Sequence, residues 1–259
     1  MRILFVGDIV GRPGRRMLSA RLGAIRHRER IDVAIANCEN AAGGFGVTPK
    51  IADQLLDGGV DVLTSGNHVW DKKEILPYID VQPRLLRPDN YPDAPGSGVF
   101  VGHSDGGVPF AVLNLQGRVY LPSLDCPFRR ADRILEAIDP AVRVRVVDFH
   151  AEVTSEKNAF GAYLDGRASA VVGTHTHVQT ADERVHPQGT AFITDVGMTG
   201  PSVSIIGMRQ DASLRRFLTG LPGRFKPASG PVQLCGVVID VDERTGRASA
   251  IRRIAENSA

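Results

Sequence analysis

Short apolar runs recur along the chain, and stretches with helical spacing stand between them. Residues 3–6 are apolar at every position, which predicts a buried strand. Residues 14–28 follow as a helix, with Met17, Leu18, Leu22 and Ile25 on one face. Residues 33–36 predict a second strand. Thr48-Pro49 supplies an N-cap with proline at the first helical position, and that helix carries Ile51, Leu55 and Leu56 before stopping at Gly58-Gly59. Residues 60–63 predict a third strand. The repeated strand–loop–helix order predicts a parallel or mixed sheet covered by helices.

Proline and glycine crowd residues 83–98, which reads as a long surface loop. Residues 99–101 and 110–115 predict strands joined through Asp105-Gly106-Gly107. A helix is expected over 128–138. Residues 142–149 alternate valine and arginine before turning apolar, which predicts a strand that begins near a sheet edge. Residues 168–172 and 191–193 predict two more strands. Near the C-terminus a hairpin is expected, with strands over 232–241 and 248–254 and a turn over 242–246. No repeat or low-complexity linker asks for a cut, so residues 1–259 read as a single domain.

With 42% hydrophobic and 23% charged residues, disorder and coiled coil are excluded. No apolar run approaches the ~18 residues of a membrane span, so no membrane partner is expected. A net charge of +2 is too mild to argue for a duplex-binding surface. Arginine supplies 26 of the 31 basic residues, a bias that a GC-rich genome accounts for. Cys38, Cys126 and Cys235 are odd in number and lack CxxC spacing, which predicts a reducing compartment and no disulfide framework. The first residues lack a signal-peptide core and cleavage site, so the expected location is cytoplasmic.

The chemistry gathers just past the strand ends. The first strand runs into Gly7-Asp8, the second into Asn37-Cys38-Glu39-Asn40 and the third into Gly66-Asn67-His68. Two later strands run into Asp148-Phe149-His150 and Gly173-Thr174-His175-Thr176-His177. Open α/β sheets bind ligands at the carboxyl ends of their strands. Five strands delivering Asp, Glu, Asn or His to that edge therefore predict one shared site. Oxygen and imidazole donors without thiolate suit Mn²⁺, Fe or Zn²⁺. Six or more ligands exceed one tetrahedral zinc and fit two cations about 3.5–4 Å apart, a clamp for displacement at phosphorus.

At these residues the sequence resembles the calcineurin-like metallophosphoesterase superfamily. Gly7-Asp8, Gly66-Asn67-His68, the lone His150 and Gly173-Thr174-His175-Thr176-His177 carry the resemblance, in family order. Two departures stand out. The family's first motif is Asp-x-His, but Ile9 and Val10 follow Asp8. Its second motif supplies a Gly-Asp, but here the loop reads Asn37-Cys38-Glu39-Asn40. Both departures are similar to the YmdB-like branch of bacterial phosphoesterases, as are Gly11-Arg12-Pro13-Gly14 and Ala41-Ala42-Gly43-Gly44.

The resemblance implies an α/β fold, a two-layer mixed β-sandwich flanked by helices. It also implies 2′,3′-cyclic-nucleotide phosphodiesterase activity. Asp8 and Glu39 become carboxylate ligands, with Glu39 bridging. Asn40 and His177 join the first metal; Asn67, His150 and His175 hold the second. Fe or Mn is the expected pair, with Zn as the other candidate. His68 is the expected general acid, giving its proton to the leaving oxygen while metal-activated hydroxide attacks. Asp71 is a candidate to orient it, since Val69 stands where the family has Asp.

Blander readings stand beside these. Asp8 could cap the following helix, Asn40 could shape a turn, and each histidine could be a buried hydrogen-bonded residue. Cys38 is expected to pack rather than ligate, and His27, His103 and His186 to be surface or structural. Arg12, Arg15 and Arg16 could touch phosphate or only solvent. Phe45, in the glycine run 43–46, could stack on a base or merely anchor a loop. A phosphomonoesterase, a nuclease and an RNA-associated regulatory protein with structural metals are the competing functions. RNA and a second copy of the chain remain open as partners beside a small phosphodiester.

Overall fold

The first strand, β1 (Arg2–Val6), is buried on both faces, and its two-residue period divides it between two cores. Ile3 and Phe5 point into the space between two sheets; Leu4 and Val6 point to a helical layer. The chain is described by a computed structural model over residues 1–258. After β1 come β2 (Asp8–Ile9), α1 (Gly11–Glu29), β3 (Val33–Asn37), α2 (Pro49–Asp57), β4 (Val62–Thr64) and α3 (Ile75–Ile79). The middle holds β5 (Val99–His103), β6 (Pro109–Gln116), α4 (Pro127–Ala137), β7 (Val144–His150), α5 (Thr154–Tyr163) and β8 (Ala170–Thr174). The rest is β9 (Arg184–Val185), β10 (Ala191–Ile193), β11 (Met198–Pro201), α6 (Gln210–Thr219), β12 (Val232–Val241) and β13 (Ala248–Asn257).

One sheet has the order β2-β11-β12-β1-β3-β4, with β13 paired to β12; the other runs β5-β6-β7-β8-β10-β9. Between them lies a core that includes Phe5, Ile35, Val112, Val146, Val172 and Ile239. Outside the first sheet, Leu18, Leu22 and Ile25 of α1 cover Leu4 and Ala34. Outside the second, Ala131 and Leu135 of α4 and Phe160 of α5 cover Val147 and Phe149. This is the expected α/β sandwich flanked by helices, and both sheets are mixed.

Several boundaries differ from the sequence reading for physical reasons. Helix α1 starts at Gly11 rather than Gly14, because Pro13 sits in the first turn, where its missing N–H costs nothing. Strand β4 starts at Val62, since the N–H of Val60 caps the preceding helix through Leu55 O at 3.2 Å. Strand β7 does not begin at a sheet edge: it lies between β6 and β8. The Val/Arg alternation instead marks the exposed start of the strand, where Arg145 Nε turns back to Val142 O at 2.8 Å.

Candidate metal centre

Parallel pairing aligns the carboxyl ends of β1, β3 and β4 in one sheet and of β7 and β8 in the other. Asp8 follows β1, Glu39 and Asn40 follow β3, and Asn67 and His68 follow β4. His150 ends β7; His175 and His177 follow β8. The residues picked out along the chain therefore meet where the two sheets end together. Two ligand groups form there: Glu39, His150 and His175, and Asp8, Glu39 and His177, each with its donor atoms within 4.8 Å of one another. Glu39 belongs to both.

Asn67 joins the first group through Oδ1, 3.0 Å from His150 Nε2, which also lies 3.2 Å from Glu39 Oε1. In the second group His177 Nε2 is 3.8 Å from Asp8 Oδ1. Asn40 presents Nδ2 to this corner, 3.1 Å from both Glu39 Oε1 and His177 Nε2. Two of the three ligand imidazoles are oriented from behind. His177 Nδ1 donates to Ile206 O at 2.9 Å. His150 Nδ1 donates to Thr174 Oγ1 at 2.9 Å, and that hydroxyl donates on to Asp148 Oδ1 at 2.7 Å. With Nδ1 occupied, Nε2 is the nitrogen that faces the cluster, where a cation would take the place of a proton, the usual arrangement for a metal-binding histidine.

The chemistry of this pocket fits cations. Asp8 Oδ1 is buried with no hydrogen-bond partner among the described residues, a cost a native protein avoids unless something else meets that atom. Gly66 leaves a space where a Cβ would collide with Glu39 Oε2 and the His150 ring. His175 and His177 adopt φ of +94° and +65°, strained backbone of the kind that gathers at functional sites.

Without cations the pocket is electrostatically tense. Burial, with Glu39 and Asp195 nearby, pushes the Asp8 carboxyl up to about 7 against the pull of His177 and His150. Burial also works against ionised Glu39, but the charge and hydrogen bond of His150 outweigh it and hold the carboxyl below its usual range. Burial would lower His150, yet Glu39, Asp8 and Asp148 raise it to about 9. Burial and the neighbouring His150 lower His175 to about 3. Cations that replace protons here would resolve the crowding.

His68 stands at the edge of the cluster. Its Nδ1 lies 2.9 Å from Asp71 Oδ2, its backbone N–H donates to Glu39 Oε2 at 3.2 Å, and its ring meets Phe45 edge-on at 4.9 Å. Cys38 is fully buried in the helix-side core, where burial and Glu39 push its thiol up, so it packs and stays neutral. Arg15 reaches Ala41 O and ties α1 to the ligand loop, while Arg12 and Arg16 are exposed. His27 and His103 are exposed, and His186 packs on Phe192.

Other members of the site carried no signal in the sequence. Asp195, fully buried, pairs with Lys157 Nζ at 2.9 Å and accepts from both N–H and Oγ1 of Thr176, which holds the histidine loop. Glu152 lies 3.0 Å from His175 Nε2 at the rim. Residues 205–225 close one side of the cavity with Ile206, Met208 and Phe225.

A family model described as YmdB-like protein matches residues 4–254. A Bacillus subtilis (strain 168) protein named 2′,3′-cyclic-nucleotide 2′-phosphodiesterase is 52% identical, over 99% of this chain and 97% of its own. A solved structure of a hypothetical protein from Thermus thermophilus superposes with a TM-score of 0.94 at 42% identity, covering 100% of both chains. That of a novel phosphatase from Mycoplasma pneumoniae gives 0.93 at 34% identity, covering 99% of this chain and 93% of that one. With matching extending along nearly the whole chain, a shared fold and the ligand cluster at the strand ends, the chain belongs to the YmdB-like family.

Proposed function

We propose that the chain is a dinuclear-metal phosphodiesterase whose substrates are small diesters, 2′,3′-cyclic nucleotides foremost. The observation that carries this is Glu39, which belongs to two adjacent ligand groups and so could serve two cations at once. Asp8, Asn40 and His177 would hold one cation; Asn67, His150 and His175 the other. Asn40 would have to offer Oδ1 in place of Nδ2. When bound, two cations would acidify water and offset charge on the phosphoryl oxygens. The oxygen and imidazole donor set suits Fe or Mn, with Zn the other candidate.

The chain's own residues supply the rest. Glu39 and Asp8 bring two negative charges into a buried site, leaving it net positive toward a phosphodiester when two divalent cations are held. Asp71 accepts from His68 Nδ1, which fixes the ring and leaves Nε2 to give a proton to the departing ribose oxygen. The Asp148–Thr174–His150 relay keeps His150 aimed at the centre. Because both sheets contribute ligands, we read residues 1–259 as one catalytic domain. Three free cysteines fit a reducing, cytoplasmic setting, and no helix among the described residues is long and apolar enough to cross a membrane.

The cavity beside the centre is about 250 Å³, which favours a small substrate over a long RNA. Purified protein with Mn²⁺, assayed on 2′,3′-cyclic AMP, a nucleoside monophosphate and single-stranded RNA, tests the reading. Cyclic AMP should be opened fastest. Faster turnover of the monoester or of RNA would favour a phosphatase or nuclease, and no turnover at all a regulatory role.

A further inference from the structure

The cavity that reaches the ligand cluster has two unlike halves. One is polar and made by Glu39, Asn40, His68, His175 and His177. The other is apolar and made chiefly by Phe45, Ile206, Met208 and Phe225. Phe45 and Phe225 both pack against the buried cluster of Val10, Met198 and Met208, which joins them in one wall. Arg216 of α6 places its guanidinium 5.5 Å from the centroid of the Phe225 ring. It pairs with no carboxylate among the described residues.

The wall is fixed to the polar half through one strained turn. Ile205 and Met208 exchange both backbone hydrogen bonds at 2.9 Å, which makes Ile206-Gly207 a two-residue turn. Both central residues have positive φ, +44° at Ile206 and +93° at Gly207. Asn or Gly adopts such a turn cheaply; a β-branched isoleucine does not. The Ile206 carbonyl accepts from His177 Nδ1, while its side chain, half exposed, faces the cavity. The turn thus sets the apolar wall at a fixed offset from a proposed metal ligand.

Resting on the phosphodiesterase reading above, we infer that this wall is a nucleobase subsite, and that it gives the enzyme its preference for cyclic nucleotides over diesters without a base. A phosphorus at the polar half directs the rest of a small cyclic substrate along the cavity, toward the wall. A planar heteroaromatic base covers the apolar surface there, and the Arg216–Phe225 pair extends it with a cation above a ring. A bare phosphate or a short alkyl diester would leave that surface in water.

The test uses metal-loaded wild type, Phe225→Ala and Ile206→Asn. Asparagine suits positive φ and keeps the carbonyl for His177, so this second variant removes the apolar side chain while keeping the turn. Two quantities are measured: adenosine affinity by calorimetry, and the ratio of kcat/KM for 2′,3′-cyclic AMP to that for methyl riboside 2,3-cyclic phosphate, which has no base. Each variant should lower the ratio about 10-fold, through KM, and weaken adenosine by a similar factor. Wild-type ratios in both variants, with both substrates still hydrolysed, overturn the subsite and leave the phosphodiesterase reading standing. Adenosine binding that weakens in both variants, with neither substrate hydrolysed by wild type, upholds the subsite and overturns that reading. Wild-type protein that does not bind adenosine overturns the subsite outright.

Discussion

The imidazole Nδ1 of His68 and the carboxylate Oδ2 of Asp71 lie 2.9 Å apart, three residues from one another across a 3-10 turn (Val69–Asp71). The pair is separate from the ligand groups, so it can be altered without removing a ligand. His68→Ala should keep both cations and lower kcat on cyclic AMP by ~10²–10⁴-fold, about 3–5 kcal/mol. The loss should shrink on a nitrophenyl ester, whose leaving group departs without a proton. Asp71→Asn should lose about 10-fold on cyclic AMP. Elemental analysis beside the two rates checks this; an equal loss on both substrates with metal missing would sink the acid role.

Thr174 links His150 to Asp148, and valine keeps its shape without the hydroxyl. Thr174→Val should weaken cation binding by ~10–100-fold, the usual cost of removing a histidine's rear partner. Competition with a chelator measures it. Unchanged affinity would show that the relay does not tune His150.

Gly66 has no room for a methyl group, which would meet Glu39 and His150. Gly66→Ala should push these two apart and lower metal content while the fold survives, since overpacking typically costs ~1–3 kcal/mol. Metal content and a melting curve together decide it; full occupancy would contradict the prediction.

The metal-free protein should lose stability as pH rises from about 6.5 to 9. His150 is raised from 6.5 to about 9 in the fold, so its contribution is complete below the unfolded value and disappears as pH passes 9. Asp8, raised from 3.8 to about 7, adds a loss of the same sign up to pH 7. His175, lowered to about 3, is neutral in the fold throughout this window, and its unfolded form is too once pH exceeds 6.5. Cations need these groups deprotonated, so the rise in Tm on adding Mn²⁺ should grow over the same window. Thermal scans with and without metal measure it; a metal-free Tm that climbs toward pH 9 would count against the protonated His150–Glu39 pair.

The convergence of Asp8, Glu39, Asn67, His150 and His175 was legible because each ends or follows a strand, and parallel strands end on one edge. Thr174, Asp148 and Asp195 were not legible in their supporting roles, because a buried polar partnership exists only once distant strands pair. The site-closing segment was hidden for another reason. Leu214, Phe217 and Leu218 of α6 point outward, so they carry no core-facing pattern, and the Ile206-Gly207 turn lacks the usual turn residues. The Val/Arg alternation before Phe149 misled because an arginine at a strand's open end resembles one on a sheet edge.

Two cations sharing Glu39 are the core of the proposed chemistry, and metal content set beside 2′,3′-cyclic AMP turnover in wild type and Glu39→Gln decides whether they do. Glutamine keeps the shape but removes the charge that offsets two cations. Wild type should bind two cations per chain, with turnover appearing as the second is added. Glu39→Gln should lose metal and turnover together. A Glu39→Gln protein that holds both cations tightly and still opens 2′,3′-cyclic AMP would contradict a shared, bridging Glu39.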